Sequence, residues 1–268
     1  MRLLLLQSIV AAFVAGTVVV VLSRCWFPVL TQAVQRLNEF GTLRGGELAW
    51  PKGDAAVLAE NRFLSLVVDL EASGGTGQTA DLQIAFTRGR IRLASLFGYS
   101  SIPYPDGFEV ELNRQSLDPS WNAWRPAFLF GGGLATALFL FASWFALATL
   151  YSLPIRVIAW LAGRSASLTT SWRVAAAALL PSSLWMGGAV LLYATEQLSL
   201  VGLGVSFGLH FVFAWVYLVG APFCLPRKDD DVLATGANPF TPAVGAAQPK
   251  TPVPPSEPDR NPFQSPPS

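Results

Sequence analysis

The sequence predicts a membrane α-helical bundle of four transmembrane helices, with an inserted β-rich domain and a disordered C-terminal tail. Three observations lead there. Of the 268 residues, 52% are hydrophobic and only 13% are charged, against roughly 25% charged in an average soluble domain. Four runs without Asp, Glu, Lys or Arg are each long enough to cross a bilayer, which takes about 20 helical residues. The segment between the first two runs, in contrast, alternates apolar and polar residues over short stretches bounded by Gly and Pro.

The first run is LLLLQSIVAAFVAGTVVVVLS, between Arg2 and Arg24. It exceeds the 7–15 apolar residues of a signal peptide and is followed by the poor cleavage site Ser23-Arg24-Cys25, so it reads as an uncleaved anchor over residues 1–23. The remaining helices are expected at about 126–152, 174–195 and 198–224, within a block spanning 126–226. Pro181 is expected to kink the third, with Ser182 and Ser183 satisfying the freed backbone groups. IRVIAWLAGR, between the second and third, reads as a short amphipathic helix along the interface.

Short loops carry the topological signal. Arg156, Arg164 and Arg173 fall between runs two and three, Arg227 and Lys228 follow run four, and Arg2 precedes run one. Placing these bases in the cytoplasm gives both termini inside and residues 24–125 outside. That segment holds ten basic and eleven acidic residues, and long loops translocate largely regardless of charge. The expected location is a multi-pass protein of a bacterial plasma membrane. Cys25 and Cys224 then lie on opposite faces of the bilayer, too far apart for a disulfide.

In the outer domain, PVLTQAVQRLNEF reads as an amphipathic helix. Four or five strands follow. Leu82, Ile84 and Phe86 and then Ile91 and Leu93 form a hairpin around Arg88-Gly89, and Phe108, Val110 and Leu112 mark a later strand. SGGTGQTA lacks the Lys and following helix of a phosphate loop, so it reads as a hairpin connection.

Candidate site residues are few. Asp69, inside VVDL, is read either as a ligand or ion contact or as a strand-end charge facing water or an Arg. Arg88, Arg90 and Arg92 recur at period two on one strand face, either to bind an anion or lipid headgroup or as the solvated face of the sheet. In both cases the pattern favours the structural reading. The spans contain one ionisable group, His210, which lies four residues after Ser206 in a literal G-x-S-x-G. That motif needs a strand-to-helix elbow and an acid to orient the His, and the run offers neither. Gly204 and Gly208 are better read as a G-x-x-x-G helix-packing pair, with Gly131–Gly133 and Gly187-Gly188 in the same role and available for homo-oligomer contacts.

A net charge of +1 argues against a nucleic-acid partner. One His and two Cys argue against a zinc centre, and the sequence implies no cofactor. Residues 227–268 contain ten of the twenty prolines, the tripeptide Asn238-Pro239-Phe240 and its repeat Asn261-Pro262-Phe263. This is the composition of a disordered tail, and the repeat is read either as a docking motif for a protein partner or as chance in Pro-rich sequence.

LRGGELAWP, the strand RFLSLVVDL and the Trp-rich approach to run two resemble a family of bacterial membrane proteins. That family has an N-terminal anchor, a β-rich outer domain, a closing helical block and no established activity. The resemblance implies architecture and no catalytic residues. The expected function is non-enzymatic: sensing, binding or scaffolding by the outer domain. A small-solute transporter or transporter subunit is the alternative, and an intramembrane hydrolase the least favoured reading.

Overall fold

The computed structural model describes residues 2–37, 41–51, 55–74, 77–107 and 109–227. The chain begins with a nearly continuous helical rod: α1 (Arg2–Val21), a five-residue π-turn (Leu22–Trp26) and α2 (Phe27–Arg36). Eight strands follow: β1 (Gly41–Arg44), β2 (Glu47–Ala49), β3 (Ala56–Glu60), β4 (Leu64–Val68), β5 (Leu82–Phe86), β6 (Arg90–Ser95), β7 (Gly98–Pro103) and β8 (Val110–Leu112). The helical block then closes the chain with α3 (Arg114–Leu161), α4 (Leu168–Ala178), α5 (Leu180–Ala194), α6 (Leu200–Gly220) and a 3-10 turn (Ala221–Cys224).

Four helical segments are long and apolar enough to cross a membrane: Arg2–Arg36, Arg114–Leu161, Leu168–Ala194 and Leu200–Cys224. Their limits differ from the expected ones. The second begins twelve residues earlier than 126, because Asn113 caps it: its Oδ1 accepts from Ser116 N at 2.8 Å. It also absorbs the segment expected as a separate amphipathic helix. Pro119, Pro126 and Pro154 lie inside α3; each removes one backbone donor, and the helix runs on. Beyond Pro154, Ile155 and Ala159 are buried, with Ile155 packed among Ala175, Ala176 and Ala178 of α4. That packing keeps the last turns in line.

The third segment breaks at Leu179, where Pro181 supplies no N–H. Ser182 Oγ and Ser183 Oγ both donate to Leu179 O, at 2.8 and 3.0 Å. Close helix approach occurs at glycines. A β-carbon on Gly132 would lie 2.9 Å from Leu22, one on Gly133 3.1 Å from Val19, and one on Gly187 2.8 Å from Phe13. Gly204 and Gly208 are different: Gly204 faces the Phe97 ring and Gly208 has nothing within 4 Å. Among the described residues, no other helix comes within 4 Å of where a β-carbon on either would sit.

The strands form two sheets, in orders β2-β1-β8 and β3-β4-β5-β6-β7. The β1–β2 hairpin turns through Gly45 and Gly46, with φ of 60° and 76°, which suits the left-handed turn that short hairpins use. β4 is buried at all five positions and sits between β3 and β5. It pairs with β5 in parallel, so SGGTGQTA is not a hairpin connection. The chain leaves β4 at Asp69 and must travel back along the strand before β5 begins beside Leu64. Only a long return such as residues 69–81 permits this. β5 and β6 form the expected antiparallel hairpin. Of its expected face, Arg90 and Arg92 lie on β6, whereas Arg88 lies in the turn that precedes it. Phe108 and the tail motifs lie outside the described residues, as does all but the first part of 227–268.

The described residues up to Leu225 form one compact unit. Within it, α2 joins helices to sheet: Val29 and Ala33 share a core with Ala59, Leu64 and Leu66. The α5–α6 turn meets the sheet at the same end. Arg62 donates to Glu196 O and Leu198 O, each at 3.2 Å, and Asn61 Nδ2 donates to Cys25 O at 2.7 Å. Arg164, from the α3–α4 turn, instead donates to Leu225 O at 2.7 Å, beyond the far end of α6.

Candidate apolar binding site

The sequence-derived candidates do not converge. Asp69 is buried at the end of β4, where its carboxylate holds the returning chain. Oδ1 accepts from Ser73 N and Ser73 Oγ, both at 3.1 Å, and Oδ2 from Gly74 N at 2.9 Å. Burial alone raises its pKa, but the Gly74 and Ser73 hydrogen bonds and the Arg92 charge outweigh that, and the carboxyl titrates below its ordinary value. Those amides shape a loop in which Ala72 and Gly74 adopt φ of 52° and 68°, so the role is architectural.

Arg88, Arg90 and Arg92 rim a shallow surface hollow with Thr87, Tyr99 and Ser101. Arg88 Nη2 pairs with Glu71 at 2.8 Å on a well-exposed surface, and Arg92 reaches Ala72 O at 3.5 Å. An exposed pair of this kind contributes little. On α6, Ser206 is buried, and its carbonyl accepts from Trp185 Nε1 at 3.3 Å. His210 stacks on Phe207 and meets Phe211 edge-on, and its Nδ1 is buried without a hydrogen-bond partner. Among the described residues, no three His, Cys, Asp or Glu side chains group closely enough to hold a metal ion. Cys25 and Cys224 are both free thiols.

The feature with the form of a site lies elsewhere. Where α2, the two sheets and the first turns of α3 meet lies a partly open cavity of about 150 Å³. Its described walls are wholly apolar. Leu30, Ala33, Val34 and Leu37 come from α2 and the residue after it, Leu58, Leu66, Val68 and Phe86 from the larger sheet, and Leu48, Trp50, Leu112 and Leu117 from the smaller sheet and its flanks. α2 presents its residues at helical spacing, 30, 33, 34 and 37, so one stripe lines the wall. Gly41 makes room for Trp50: a β-carbon there would lie 2.6 Å from the indole ring.

A second, more open hollow of about 440 Å³ adjoins the first and shares Val34 and Leu117 with it. Its other walls are Ser120, Trp121, Trp124 and Phe128, along one face of α3. Trp121 is fixed from behind, with Nε1 donating to Thr31 Oγ1 at 2.9 Å and its ring edge-on to Phe27. Phe128 is 6.4 Å from Trp121 and 6.3 Å from Trp124, centroid to centroid.

Sequence reasoning missed this site because each lining residue resembles ordinary core. The available signal was the amphipathic stripe of α2, whose partner surface could not be identified. Compared with known family models, curated proteins and solved structures, the chain matches none. The candidate site therefore rests on its own geometry.

Proposed function

We propose that the chain is a four-span membrane protein with both termini cytoplasmic, whose β-rich module lies outside and binds a small apolar ligand without catalysing a reaction. The observation that carries the binding reading is the partly open apolar cavity of about 150 Å³ between α2 and the sheets. Its volume suits a benzene-sized apolar group, and filling it recovers dispersion contacts that an unfilled wall forfeits. Among its described walls no side chain is charged, and Trp50, with its indole N–H, is the one that can hydrogen-bond.

The topology is supported by two ends of unlike character. The α1 terminus, the α5–α6 turn and the β module meet at one end, through Asn61 and Arg62. Arg156, Arg164 and Arg173 collect toward the other, the distribution that cytoplasmic loops carry. The resemblance noted in the sequence favours a bacterial plasma membrane.

The test uses the full chain in detergent and a photoreactive decanoic acid carrying a terminal diazirine. Irradiation followed by peptide mapping should label α2 and β4, and Ala33→Phe or Leu66→Trp, which fill the cavity, should each suppress that labelling. Labelling elsewhere, or labelling indifferent to both substitutions, contradicts a binding site here.

A further inference from the structure

We infer that the cavity takes one acyl chain of a membrane phospholipid, and that the chain arrives sideways from the bilayer through the groove on α3. This rests on the binding reading above and adds the ligand class and its route. Three observations carry it.

The groove and the cavity are neighbours that share two walls, Val34 and Leu117. Only these two apolar side chains would have to move apart for a guest to pass from one to the other. The groove also continues downward onto hydrocarbon-facing surface. Trp124 and Phe128 are 61% and 54% exposed, and Phe128 is the third residue of the charge-free run that follows Arg125. Indole and phenyl groups at this level mark the region where acyl chains meet the interface. Finally, polarity falls along the path. The described groove walls include the Ser120 hydroxyl, whereas the described cavity walls present apolar surface only. A charged headgroup has no counter-charge inside, so the buried end of the guest is plain hydrocarbon and the polar end stays at the groove.

Size selects a chain over a ring system. A cavity of this volume takes about one benzene-sized group, so only the end of a membrane acyl chain fits inside. The rest of the chain is then left to lie along the open groove. A rigid polycyclic molecule is too large to enter as a unit, whereas a single flexible chain enters end first.

The test places the full chain in nanodiscs of phosphatidylcholine and phosphatidylglycerol, doped with a phosphatidylcholine bearing a diazirine at the end of one acyl chain. This lipid does not leave the bilayer on the timescale of irradiation. The inference expects label on the α2 and β4 peptides as well as on the lipid-facing helices. Leu117→Arg, which puts a charge at the shared wall, should cut the α2 and β4 label roughly tenfold or more while label on α6 persists. Photolipid label confined to the helices overturns the inference. If decanoic acid still labels α2 and β4 in that case, the binding reading stands and only the lipid route falls. If neither probe labels them, both fall. Label on α2 and β4 that Leu117→Arg leaves unchanged overturns the route through the groove.

Discussion

The phenol of Tyr193, one residue before the end of α5, donates a 2.9 Å hydrogen bond to Asp81 Oδ2 at the start of β5. Its ring also packs edge-on against Phe63, with centroids 5.0 Å apart. One side chain thus fixes the last turn of α5 to the strand that the returning loop delivers. Tyr193→Phe keeps the ring contact and removes the bond. It should cost about 1.5–3 kcal/mol, because the acceptor is a carboxylate. Thermal unfolding in detergent measures the loss, and hydrogen exchange should rise first in the 81–86 strand. An unchanged melting temperature and unchanged exchange would show that this contact does not join the two parts.

Asp69 makes a pH-dependent prediction. Its folded carboxyl titrates below the ordinary value of 3.8, so the unfolded chain binds the proton more readily than the folded one. The stabilisation is therefore present above the ordinary value and is lost as pH falls through the lower, folded one. Asp69→Ala leaves the Ser73 and Gly74 amides without their acceptor and should destabilise by about 1–3 kcal/mol at neutral pH. Against wild type, the difference should shrink on acidification. A difference that grows toward low pH would contradict this role.

The glycines divide into those that helices touch and those they do not. A β-carbon on Gly187 would meet Phe13 at 2.8 Å and Val14 at 3.1 Å, while Gly188 has nothing within 4 Å. Gly187→Val should therefore destabilise by about 1–3 kcal/mol, and Gly188→Ala should be neutral or slightly stabilising through helix propensity. Equal effects at both positions would argue that α1 and α5 do not pack as described.

The β6–β7 turn offers a check on membrane depth. Leu96 and Phe97 are 60% and 73% exposed, and the Phe97 ring lies 3.6 Å from where a Gly204 β-carbon would sit, one turn into α6. If α6 spans the bilayer, this tip dips into the outer leaflet. Phe97→Cys, in a background without Cys25 and Cys224 and labelled with an environment-sensitive dye, should be quenched by spin-labelled lipid and shielded from iodide. Quenching by iodide alone would put the tip in water.

Much of this architecture was legible as pattern. Four charge-free runs correspond to the four long apolar segments, and alternation at 82–86 and 91–95 marked β5 and β6. The break at Pro181 followed from its missing donor. What escaped the sequence depends on partners distant along the chain. Nothing local reveals that VVDL is followed by a return to a parallel neighbour, or that Asp69 caps that return. Charge bounded the expected second span, about 126–152, but it does not bound the helix: Asn113 and the α4 contact at Ile155 carry α3 beyond that span at both ends. Gly204 and Gly208 carry a packing motif that meets no other helix among the described residues. The cavity draws on residues from Leu30 to Leu117, each of which resembles core until the others are in place.

The central claim is that the β module stands outside a membrane the helices cross, and cysteine accessibility in intact cells tests it most directly. Variants lacking Cys25 and Cys224 would carry one new cysteine, either Tyr99→Cys on the 80% exposed β7 position or Ser256→Cys near the C-terminus. With a membrane-impermeant thiol reagent, position 99 should label in intact cells and position 256 only after the membrane is breached. Labelling of 256 but not 99 in intact cells would invert the protein, put the β module in the cytoplasm, and contradict the account.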